Sequence, residues 1–401
     1  MESIYCAPNP ILFGIGSSKE TGKKLKEFGC KKVILVYDMG IKKVGVVDKI
    51  DEIIKAEGIE TVYYDNVQAD PPIWSVEEAG ALAVKEKCDG VVGIGGGSSL
   101  DTAKGTKLLI TNPPPLRQYF GRVGVVTKPS VPLIVIPTTA GTGSECTPGG
   151  VITDTEKNIK TNIAGTGCTV NLGIVDPELT VGLPRFITAY TGFDALGHCA
   201  EAYTSRLANS ICSCIAREGI QLIGKYLVRA CNDGTDMEAR AGMSLAASLG
   251  GMAMSGPYCH LPHDIGRSLG TKFHVPHGNG CCATLPQVLQ MIAGVKTEEV
   301  KFIAGALGNP VPDGASVEEI GKYAYDAALK LMKDTGVPSL QDLKLNLDDL
   351  LREVPAEVVM QMDIFKKLGF GVCTCPLDIT EKDVADVLTR AYYENHFPKE
   401  A

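Results

Sequence analysis

Five of the six histidines lie between positions 198 and 277, a clustering that suggests shared chemistry. Asp194 and His198 stand four residues apart on a predicted helix, so both side chains lie on one face of it. His263 and His277 could supply two further ligands. Three imidazoles and one carboxylate suit Fe²⁺ or Zn²⁺, with one position open for a substrate oxygen. Any one of these histidines could equally serve in a core or on a surface, but the set of four predicts a metal centre.

A divalent cation at such a centre favours one kind of reaction. It polarises a carbonyl oxygen, or it lowers the pKa of a bound hydroxyl so that an alcohol ionises near neutral pH. A hydride could then pass from the alcohol carbon to a nicotinamide ring held close to it. These residues therefore predict a dehydrogenase that acts on a small alcohol or aldehyde, provided that the chain also binds a nicotinamide cofactor.

A glycine-rich segment, GGGSSLDTAK at residues 95–104, follows a predicted strand. Its three leading glycines allow the backbone to turn tightly and to approach a phosphate closely. Ser98 and Ser99 could cap the helix that follows, whose free N–H groups would then face the anion. A tight strand–helix turn without a ligand remains the alternative for this segment taken alone.

A second loop, PTTAGTGSE at residues 137–145, also follows a predicted strand. It offers the hydroxyl groups of Thr138, Thr139, Thr142 and Ser144 among small residues. Two such loops at the ends of two strands favour a dinucleotide site more than either loop does alone, because parallel strands carry ligands at their carboxyl ends.

Asp38 ends the predicted strand at 33–38. An acid at this position can accept hydrogen bonds from both hydroxyls of an adenosine ribose and would repel a 2′-phosphate, which favours NAD over NADP. An ordinary aspartate in a strand–helix turn is the alternative. The glycine pattern of residues 95–104 differs from the usual dinucleotide fingerprint, so the common motif is not what the sequence shows.

The elements that must position these residues alternate in the first half of the chain. Apolar runs at 33–38, 91–97 and 133–137 predict strands, and 44–57 and 74–88 predict helices. Continuous apolar strands separated by helices predict a parallel sheet that is covered on both faces.

After Pro184 no strand-like run remains, and the spacing of apolar residues is helical. The predicted helices lie at 186–204, 209–230, 236–255, 281–294, 297–307, 316–335 and 380–394. The change of pattern falls in DPELTVGLP at 176–184, which we interpret as a linker. The sequence thus predicts an α/β cofactor-binding domain at 1–183 and an all-helical, metal-binding and catalytic domain at 184–401.

The formal net charge of −8 disfavours nucleic acid and anionic membrane as partners, because both attract basic surfaces. No apolar run approaches the roughly 20 residues that span a bilayer. The first 20 residues carry one lysine and no long apolar core, so no signal peptide is expected. A cytoplasmic protein is the prediction.

The fourteen cysteines are then expected to be reduced thiols that mostly pack as small buried hydrophobes. Two clusters resemble metal-binding pairs, Cys281–Cys282 and Cys373–Thr374–Cys375. Neither has the two-residue spacer typical of zinc sites, which favours packing for both.

Taken together, these motifs closely resemble the iron-containing (group III) alcohol dehydrogenase family. The landmarks, in order along the chain, are GGGSSLDTAK, IPTTAGTGSE, IVDPELTVGLP, TGFDALGHCAEAYTS and HVPHGNG. The resemblance extends over nearly the whole length. It implies a Rossmann-like α/β domain with a parallel sheet, followed by an all-α domain, with NAD and a metal ion meeting between them. It also implies a homodimer or a larger homo-oligomer.

The resemblance assigns roles residue by residue. The residues that match the metal ligands are Asp194, His198, His263 and His277. Those that match the cofactor site are Asp38, Gly95, Gly96, Gly97, Ser98, Asp101, Thr138, Thr139, Thr142, Lys160 and Leu179. Among these, Lys160 resembles a lysine near the nicotinamide ribose, and Leu179 resembles a contact on the nicotinamide side.

One departure from the family pattern concerns proton transfer. Many members carry a second histidine four residues after the third ligand, and here that position is Arg267. Arginine stays protonated, so the proton must leave through water, the cofactor ribose, His260 or His274. If Arg267 faces the substrate, it could bind a carboxylate, sulfonate or phosphonate, and the substrate would be a small acidic aldehyde. The alternative is that Arg267 pairs with Asp264 or another acid and only braces the site.

Two other functions stay open at this point. A lyase similar to dehydroquinate synthase would also use NAD and metal, but it needs several basic residues around a phosphonate, and the metal-binding stretch offers one clear candidate, Arg267. A non-catalytic scaffold would not need an intact set of four ligands. The expected activity is therefore hydride transfer between NAD(H) and a small primary alcohol or aldehyde.

Overall fold

The computed structural model describes residues 9–121, 127–157, 159–365 and 373–397. These residues form two compact units. The first extends to Gly182, and the second begins at Leu183.

A six-stranded sheet forms the centre of the first unit, and every neighbouring pair of its strands is parallel. The strand order is β1-β8-β5-β4-β2-β3. The strands are β1 Ile11–Phe13, β2 Lys32–Tyr37, β3 Glu60–Tyr64, β4 Gly90–Gly95, β5 Leu133–Pro137 and β8 Leu172–Val175, and a separate antiparallel pair consists of β6 Gly150–Asp154 and β7 Ile159–Ile163. The predicted parallel sheet is confirmed.

Two apolar clusters cover the two faces of this sheet. Along β2, Val33 and Leu35 belong to one cluster and Ile34 and Val36 to the other, because successive side chains of a strand point to opposite faces. A strand buried on both faces must be apolar at every position, which explains the uninterrupted run of hydrophobic residues in the sequence. The helices of this unit are α1 Thr21–Glu27, α2 Met39–Lys43, α3 Val46–Ala56, α4 Ile73–Lys85 and α5 Gly97–Thr111.

The predicted strand at 91–97 ends earlier than expected. β4 stops at Gly95 and α5 begins at Gly97, with Gly96 at the N-cap position and no side chain capping the helix. The prediction that Ser98 or Ser99 caps this helix is therefore wrong, since both lie inside its first turn. The N-terminal N–H groups of α5 are left without a side-chain acceptor, as an anion site requires.

The second unit is helical throughout its described residues, which confirms the predicted class. Its helices are α6 Arg185–Thr204, α7 Ser210–Asn232, α8 Met237–Ala253, α9 Leu261–Phe273, α10 His277–Cys282, α11 Leu285–Ile292, α12 Thr297–Ala306, α13 Val317–Thr335, α14 Leu347–Phe365 and α15 Glu381–Glu394. The predicted helix at 281–294 is wrong as a single element, because α10 ends at Cys282 and α11 begins at Leu285 with Pro286 in its first turn.

In the second unit, α9 and α14 were not predicted. In α9 a buried histidine and a buried aspartate, His263 and Asp264, interrupt the apolar stripe, and in α14 Pro355 lies inside the helix. Both features weaken the periodic signal on which a sequence-based prediction depends. No helix among the described residues is long and apolar enough to cross a membrane.

Candidate metal centre and cofactor loops

One face of α6 carries the polar residues of the candidate centre. Asp194, His198 and Glu201 follow one another at intervals of four and three residues, so they line one face of the helix. All three are buried, with at most 5% of the residue surface exposed. Burying two carboxylates and an imidazole this completely is costly unless each has a charged or hydrogen-bonding partner.

Two neighbouring helices bring the other predicted ligands to this face. His263 lies in the first turn of α9 and is buried, whereas His277 is the first residue of α10 and its side chain is 35% exposed. At Gly197 of α6, a Cβ atom would lie only 2.9 Å from Cε1 of His263. The absence of a side chain at Gly197 is therefore what lets the His263 ring approach α6.

All three predicted histidine ligands approach Asp194, although His198 belongs to a different group of mutually close ligand atoms from Asp194 and His277. Oδ1 of Asp194 lies 3.7 Å from Nε2 of His198, 3.5 Å from Nε2 of His263 and 3.8 Å from Nε2 of His277. An ion with tetrahedral ligand bonds of about 2.0 to 2.3 Å holds its ligand atoms roughly 3.3 to 3.8 Å apart. Oδ1 of Asp194 and Nε2 of His263 are buried without a hydrogen-bond partner, as expected for atoms that hold a cation.

Glu201 fixes the orientation of His263. Its Oε2 accepts the backbone N–H of His260 at 2.7 Å and that of His263 at 3.3 Å, and its Oε1 accepts a hydrogen bond from Nδ1 of the His263 ring at 2.5 Å. This bond holds a proton on Nδ1, so Nε2, which lies toward Asp194, is the ring nitrogen that could ligate a cation. Glu201 was not among the predicted site residues, although its spacing of seven from Asp194 places it on the same helix face.

Electrostatics keep both carboxylates ionised despite their burial. Burial alone would raise the pKa of Asp194, but the surrounding imidazoles of His198, His263 and His277 hold it well below its ordinary value. Burial likewise opposes ionisation of Glu201, yet the imidazole of His263 lowers the pKa of that carboxyl. An ionised Asp194 is the form that can ligate a metal.

Two thiols border the same atoms. The ligand atoms of Asp194, His263, His277 and Cys281 all lie within 4.8 Å of one another, and so do those of His198, Cys259 and His263. The spacing of Cys281 and Cys282 alone had favoured packing for Cys281. All the cysteines of the described residues are free thiols.

Arg267 lies on α9 four residues after His263, one turn further along the same face. It is partly buried, and no carboxylate oxygen of the described residues lies within ion-pair distance of it. Burial raises the pKa of the predicted alternative partner, Asp264, to about 7, and the nearby charge of Arg267 opposes this rise.

The two histidines considered for proton transfer differ in environment. His260 is buried, Nε2 of its ring lies 2.9 Å from the hydroxyl of Thr204, and burial lowers its pKa to about 4. His274 is exposed and adopts the left-handed backbone conformation that ends α9, with φ of 56°. Neither belongs to the two groups of converging ligand atoms.

The predicted cofactor residues gather at the carboxyl ends of adjacent strands of the first unit. Asp38 follows β2, the three glycines span the end of β4 and the start of α5, and the threonine loop follows β5. The backbone N–H of Thr138 donates to the carbonyl oxygen of Gly95 at 3.0 Å, so the two loops are in direct contact. Gly95 has φ of 144°, and a Cβ there would lie 2.5 Å from Oγ of Ser99, which leaves no room for a side chain.

Asp38 already has protein partners. Its Oδ1 accepts the backbone N–H groups of Gly40 and Ile41 and so caps α2, and its Oδ2 accepts a 3.3 Å hydrogen bond from Ser99. Oδ1 of Asp38 therefore acts as in an ordinary turn aspartate, because it caps α2. Oδ2 has only a long hydrogen bond and could still accept one from a ribose hydroxyl.

A buried lysine that was not among the predicted site residues links the two loops by hydrogen bonds. Lys104 is fully buried, and its Nζ donates to Oγ of Ser144 at 2.7 Å and to the carbonyl oxygen of Gly149 at 2.7 Å. Asp101 accepts a 2.7 Å hydrogen bond from the same Ser144 hydroxyl and a 2.8 Å bond from the backbone N–H of Val151. Asp101 thus braces the loops from within.

The remaining predicted cofactor residues have varied surroundings. The Thr138 hydroxyl is buried without a hydrogen-bond partner, whereas Thr139, Thr142 and Ser98 are partly exposed. Lys160 lies on β7, and its Nζ is 2.7 Å from Oδ1 of Asp70. Leu179, in a short 3-10 helix after β8, packs against one of the two apolar clusters of the sheet.

Comparisons with known proteins cover both units. The family model for iron-containing alcohol dehydrogenases matches residues 8–177, and the model for the C-terminal region of the Fe-containing alcohol dehydrogenase family matches residues 188–392. The chain is 35% identical over 395 residues to the NAD-dependent methanol dehydrogenase of Bacillus methanolicus, with 98% of this chain and 100% of that protein covered.

Two further similarities concern other substrates. The chain is 34% identical over 354 residues to the sulfoacetaldehyde reductase of Bilophila wadsworthia, with 87% of this chain and 91% of that protein covered. A crystal structure of 1,3-propanediol oxidoreductase superposes with a TM-score of 0.91 at 31% identity, covering 98% of this chain and 100% of that one.

Proposed function

Because the chain belongs to the iron-containing alcohol dehydrogenase family, we propose that it transfers a hydride between NAD(H) and a small primary alcohol or aldehyde, at a divalent cation held by Asp194, His198, His263 and His277. The observation that carries this proposal is the convergence of three imidazole Nε2 atoms on Oδ1 of Asp194, within 3.8 Å. The family match favours a dehydrogenase over both the lyase and the non-catalytic scaffold.

The residues of the chain have separable tasks in this proposal. Bound at the two sites, the cation supplies a Lewis acid for the substrate oxygen and NAD supplies the hydride acceptor. Asp194 contributes the negative charge of the centre, and Glu201 keeps the Nε2 lone pair of His263 available. The N-terminus of α5 offers unpaired N–H groups for the cofactor phosphates, and Asp38 an acceptor for its ribose.

The decisive experiment combines metal loading with an NADH assay. Metal-free protein should be inactive on short alcohols, and adding Fe²⁺ or Zn²⁺ should restore NADH production. Asp194→Asn should bind neither metal, while Asp313→Asn, which alters an exposed aspartate, should behave as the wild type. Full activity in the metal-free protein, or normal metal binding by Asp194→Asn, would contradict the proposal.

The substrate is proposed to be a short aldehyde or alcohol that carries an acidic group, and Arg267 would bind that group. Three observations support this: Arg267 follows His263 by one helical turn, it is partly exposed, and it has no acidic partner among the described residues. The similarity to a sulfoacetaldehyde reductase agrees with it. A guanidinium suits a sulfonate or carboxylate because its donors match two oxygens at once.

Arg267→Ala tests this assignment on two aldehydes of equal length, one ending in a sulfonate and one in a methyl group. kcat/KM should fall about 100-fold for the acidic aldehyde, equivalent to a charge-assisted contact of roughly 2.7 kcal/mol, and by only a few-fold for the neutral one. Arg352→Ala, on an exposed face of α14, is the matched control. Equal losses on both aldehydes would leave Arg267 a bracing role only. The homo-oligomeric assembly and the cytoplasmic location stay predictions.

A further inference from the structure

We propose that Cys281 is a further ligand of the cation at this centre, and that its thiolate makes the site select zinc over iron. This inference rests on the proposed function and goes beyond it, since it names a fifth donor and the metal that the donor favours. None of the four predicted ligands has a sulfur atom.

The position of Cys281 on its helix is the first argument. α10 begins at His277, and Cys281 lies four residues later, so both side chains share one face of that helix. The same spacing relates Asp194 and His198 on α6. Each of the two helices thus carries a pair of candidate donors on one face.

The distances around Cys281 are the second argument. Its Sγ lies 3.7 Å from Nε2 of His277, and Oδ1 of Asp194 lies 3.8 Å from Nε2 of His277 and 3.5 Å from Nε2 of His263. These three separations fall within the roughly 3.3 to 3.8 Å expected between ligand atoms of a tetrahedral zinc ion. The ligand atoms of Asp194, His263, His277 and Cys281 all lie within 4.8 Å of one another, so a single cation could contact all four.

The unpartnered atoms are the third argument, because they show that this set faces a ligand. Oδ1 of Asp194 and Nε2 of His263 are buried and lack hydrogen-bond partners, and both residues belong to the group that includes Cys281. Cys281 is itself only 1% exposed. Its Sγ lies within 4.8 Å of both orphaned atoms, so a cation that they hold would be within reach of the thiol.

The chemical consequence concerns metal selection. Thiolate is a soft ligand that binds Zn²⁺ in preference to harder cations, whereas carboxylate and imidazole alone discriminate less between Zn²⁺ and Fe²⁺. The predicted ligand set and this one share Asp194, His263 and His277 and differ only in His198 against Cys281. Binding through Cys281 displaces the thiol proton to solvent, so each cation bound in this mode releases one proton.

Cobalt substitution tests the proposal on the full-length protein, because Co²⁺ reports its ligands by absorption. Metal-free wild type is titrated with Co²⁺ alone and its visible and near-ultraviolet spectra are recorded. A tetrahedral site gives visible bands whatever its donors are, and a thiolate ligand adds a sulfur-to-cobalt charge-transfer band in the near ultraviolet. The proposal expects both in the wild type.

Variants identify the sulfur. Cys281→Ser should lose the charge-transfer band and keep the visible bands, whereas Cys282→Ser, on the same helix and equally buried, should keep both. Cys259→Ser should also keep both, although Cys259 borders the site through His198 and His263. In competition titrations, the preference for Zn²⁺ over Fe²⁺ should fall by about tenfold in Cys281→Ser.

Each outcome decides something different. Visible bands without charge transfer in the wild type would overturn the role of Cys281 and leave the metal centre intact, whereas no cobalt binding at all would overturn the metal centre itself. Loss of the charge-transfer band in Cys259→Ser alone would assign the sulfur to Cys259 and refute the proposal. If Cys281→Ser does not fold, the band in the wild type and its survival in both control variants identify Cys281.

Discussion

Replacing Glu201 by glutamine perturbs the metal centre through a hydrogen bond and not through a ligand. The carboxylate of Glu201 accepts three hydrogen bonds inside the protein, two from backbone N–H groups at His260 and His263 and one from Nδ1 of His263. Glutamine has nearly the same shape, but it offers one acceptor and one donor where the carboxylate offers two acceptors.

Neither orientation of the new amide can satisfy all three donors. If its oxygen faces the two backbone N–H groups, its NH₂ faces Nδ1 of His263, and the ring must then carry its proton on Nε2, where the metal should bind. If its oxygen faces Nδ1, the NH₂ opposes two backbone donors, and each unsatisfied buried group costs about 1 to 3 kcal/mol. The first orientation impairs metal binding, and the second destabilises the fold.

The expected magnitude follows from the role of such partners at metal sites. Loss of a carboxylate that orients a ligating histidine lowers metal affinity by about 10 to 100-fold, or roughly 1.4 to 2.7 kcal/mol. We expect Glu201→Gln to fall in this range, since Asp194, His198 and His277 remain in place. Activity should follow metal occupancy and recover when the metal concentration is raised.

In the assay, the protein and a chelator compete for Zn²⁺. The measured quantity is the free Zn²⁺ concentration at which half of the protein has metal bound. Glu218→Gln, which alters an exposed glutamate of α7, provides the matched control and should leave metal affinity unchanged. If Glu201→Gln bound Zn²⁺ as tightly as the wild type at unchanged thermal stability, the argument from the ring tautomer would be refuted.

Three further predictions concern the rest of the chain. Asp38→Ser keeps an N-cap for α2 but removes the negative charge that would repel a 2′-phosphate. The ratio of kcat/KM for NADP to kcat/KM for NAD should therefore rise about tenfold in paired assays. An unchanged ratio would count against Asp38 as the residue that selects NAD. Gly197→Ala places a Cβ 2.9 Å from Cε1 of His263. The amount of bound metal should fall, and overpacking should lower the free energy of unfolding by about 1 to 3 kcal/mol, which a thermal melt would show. A normal metal content would contradict the role of this close approach. Burial lowers the pKa of Lys107 to about 8, so between pH 8 and the ordinary value of 10.5 the folded state binds fewer protons than the unfolded state. The free energy of unfolding should therefore rise with pH across that window, by up to about 3 kcal/mol. In denaturant melts, the difference in unfolding free energy between the wild type and Lys107→Met should show this slope.

Much of the fold was predictable because it depends on local patterns. The uninterrupted apolar run of β2 follows from burial on both faces, and the helical second unit follows from apolar spacing that repeats over many turns. The failures have local causes too. The buried polar residues of α9 and Pro355 in α14 break the periodic pattern, and the step from β4 to α5 falls at Gly96, where no side chain signals the helix start.

The candidate site was predictable where its residues share an element or follow a strand. Asp194 and His198 lie one turn apart on α6, and the glycine and threonine loops follow adjacent strands, so spacing and topology already indicate their chemistry. Glu201 lies on the same face of α6, but its partner is on α9, and spacing within one helix cannot show that a carboxylate will meet a histidine sixty-two residues further along.

The sequence by itself determined which chemistry the chain carries, since helical and strand periodicity place neighbouring residues on one face whatever surrounds them. The tertiary structure alone decided which of those faces meet. The approach of α9 to α6 depends on the missing side chain of Gly197, and the approach of Cys281 to Asp194 depends on how α10 packs. Contacts between elements far apart in sequence are set by side-chain volumes at the interface, and a pattern within one element does not contain that information.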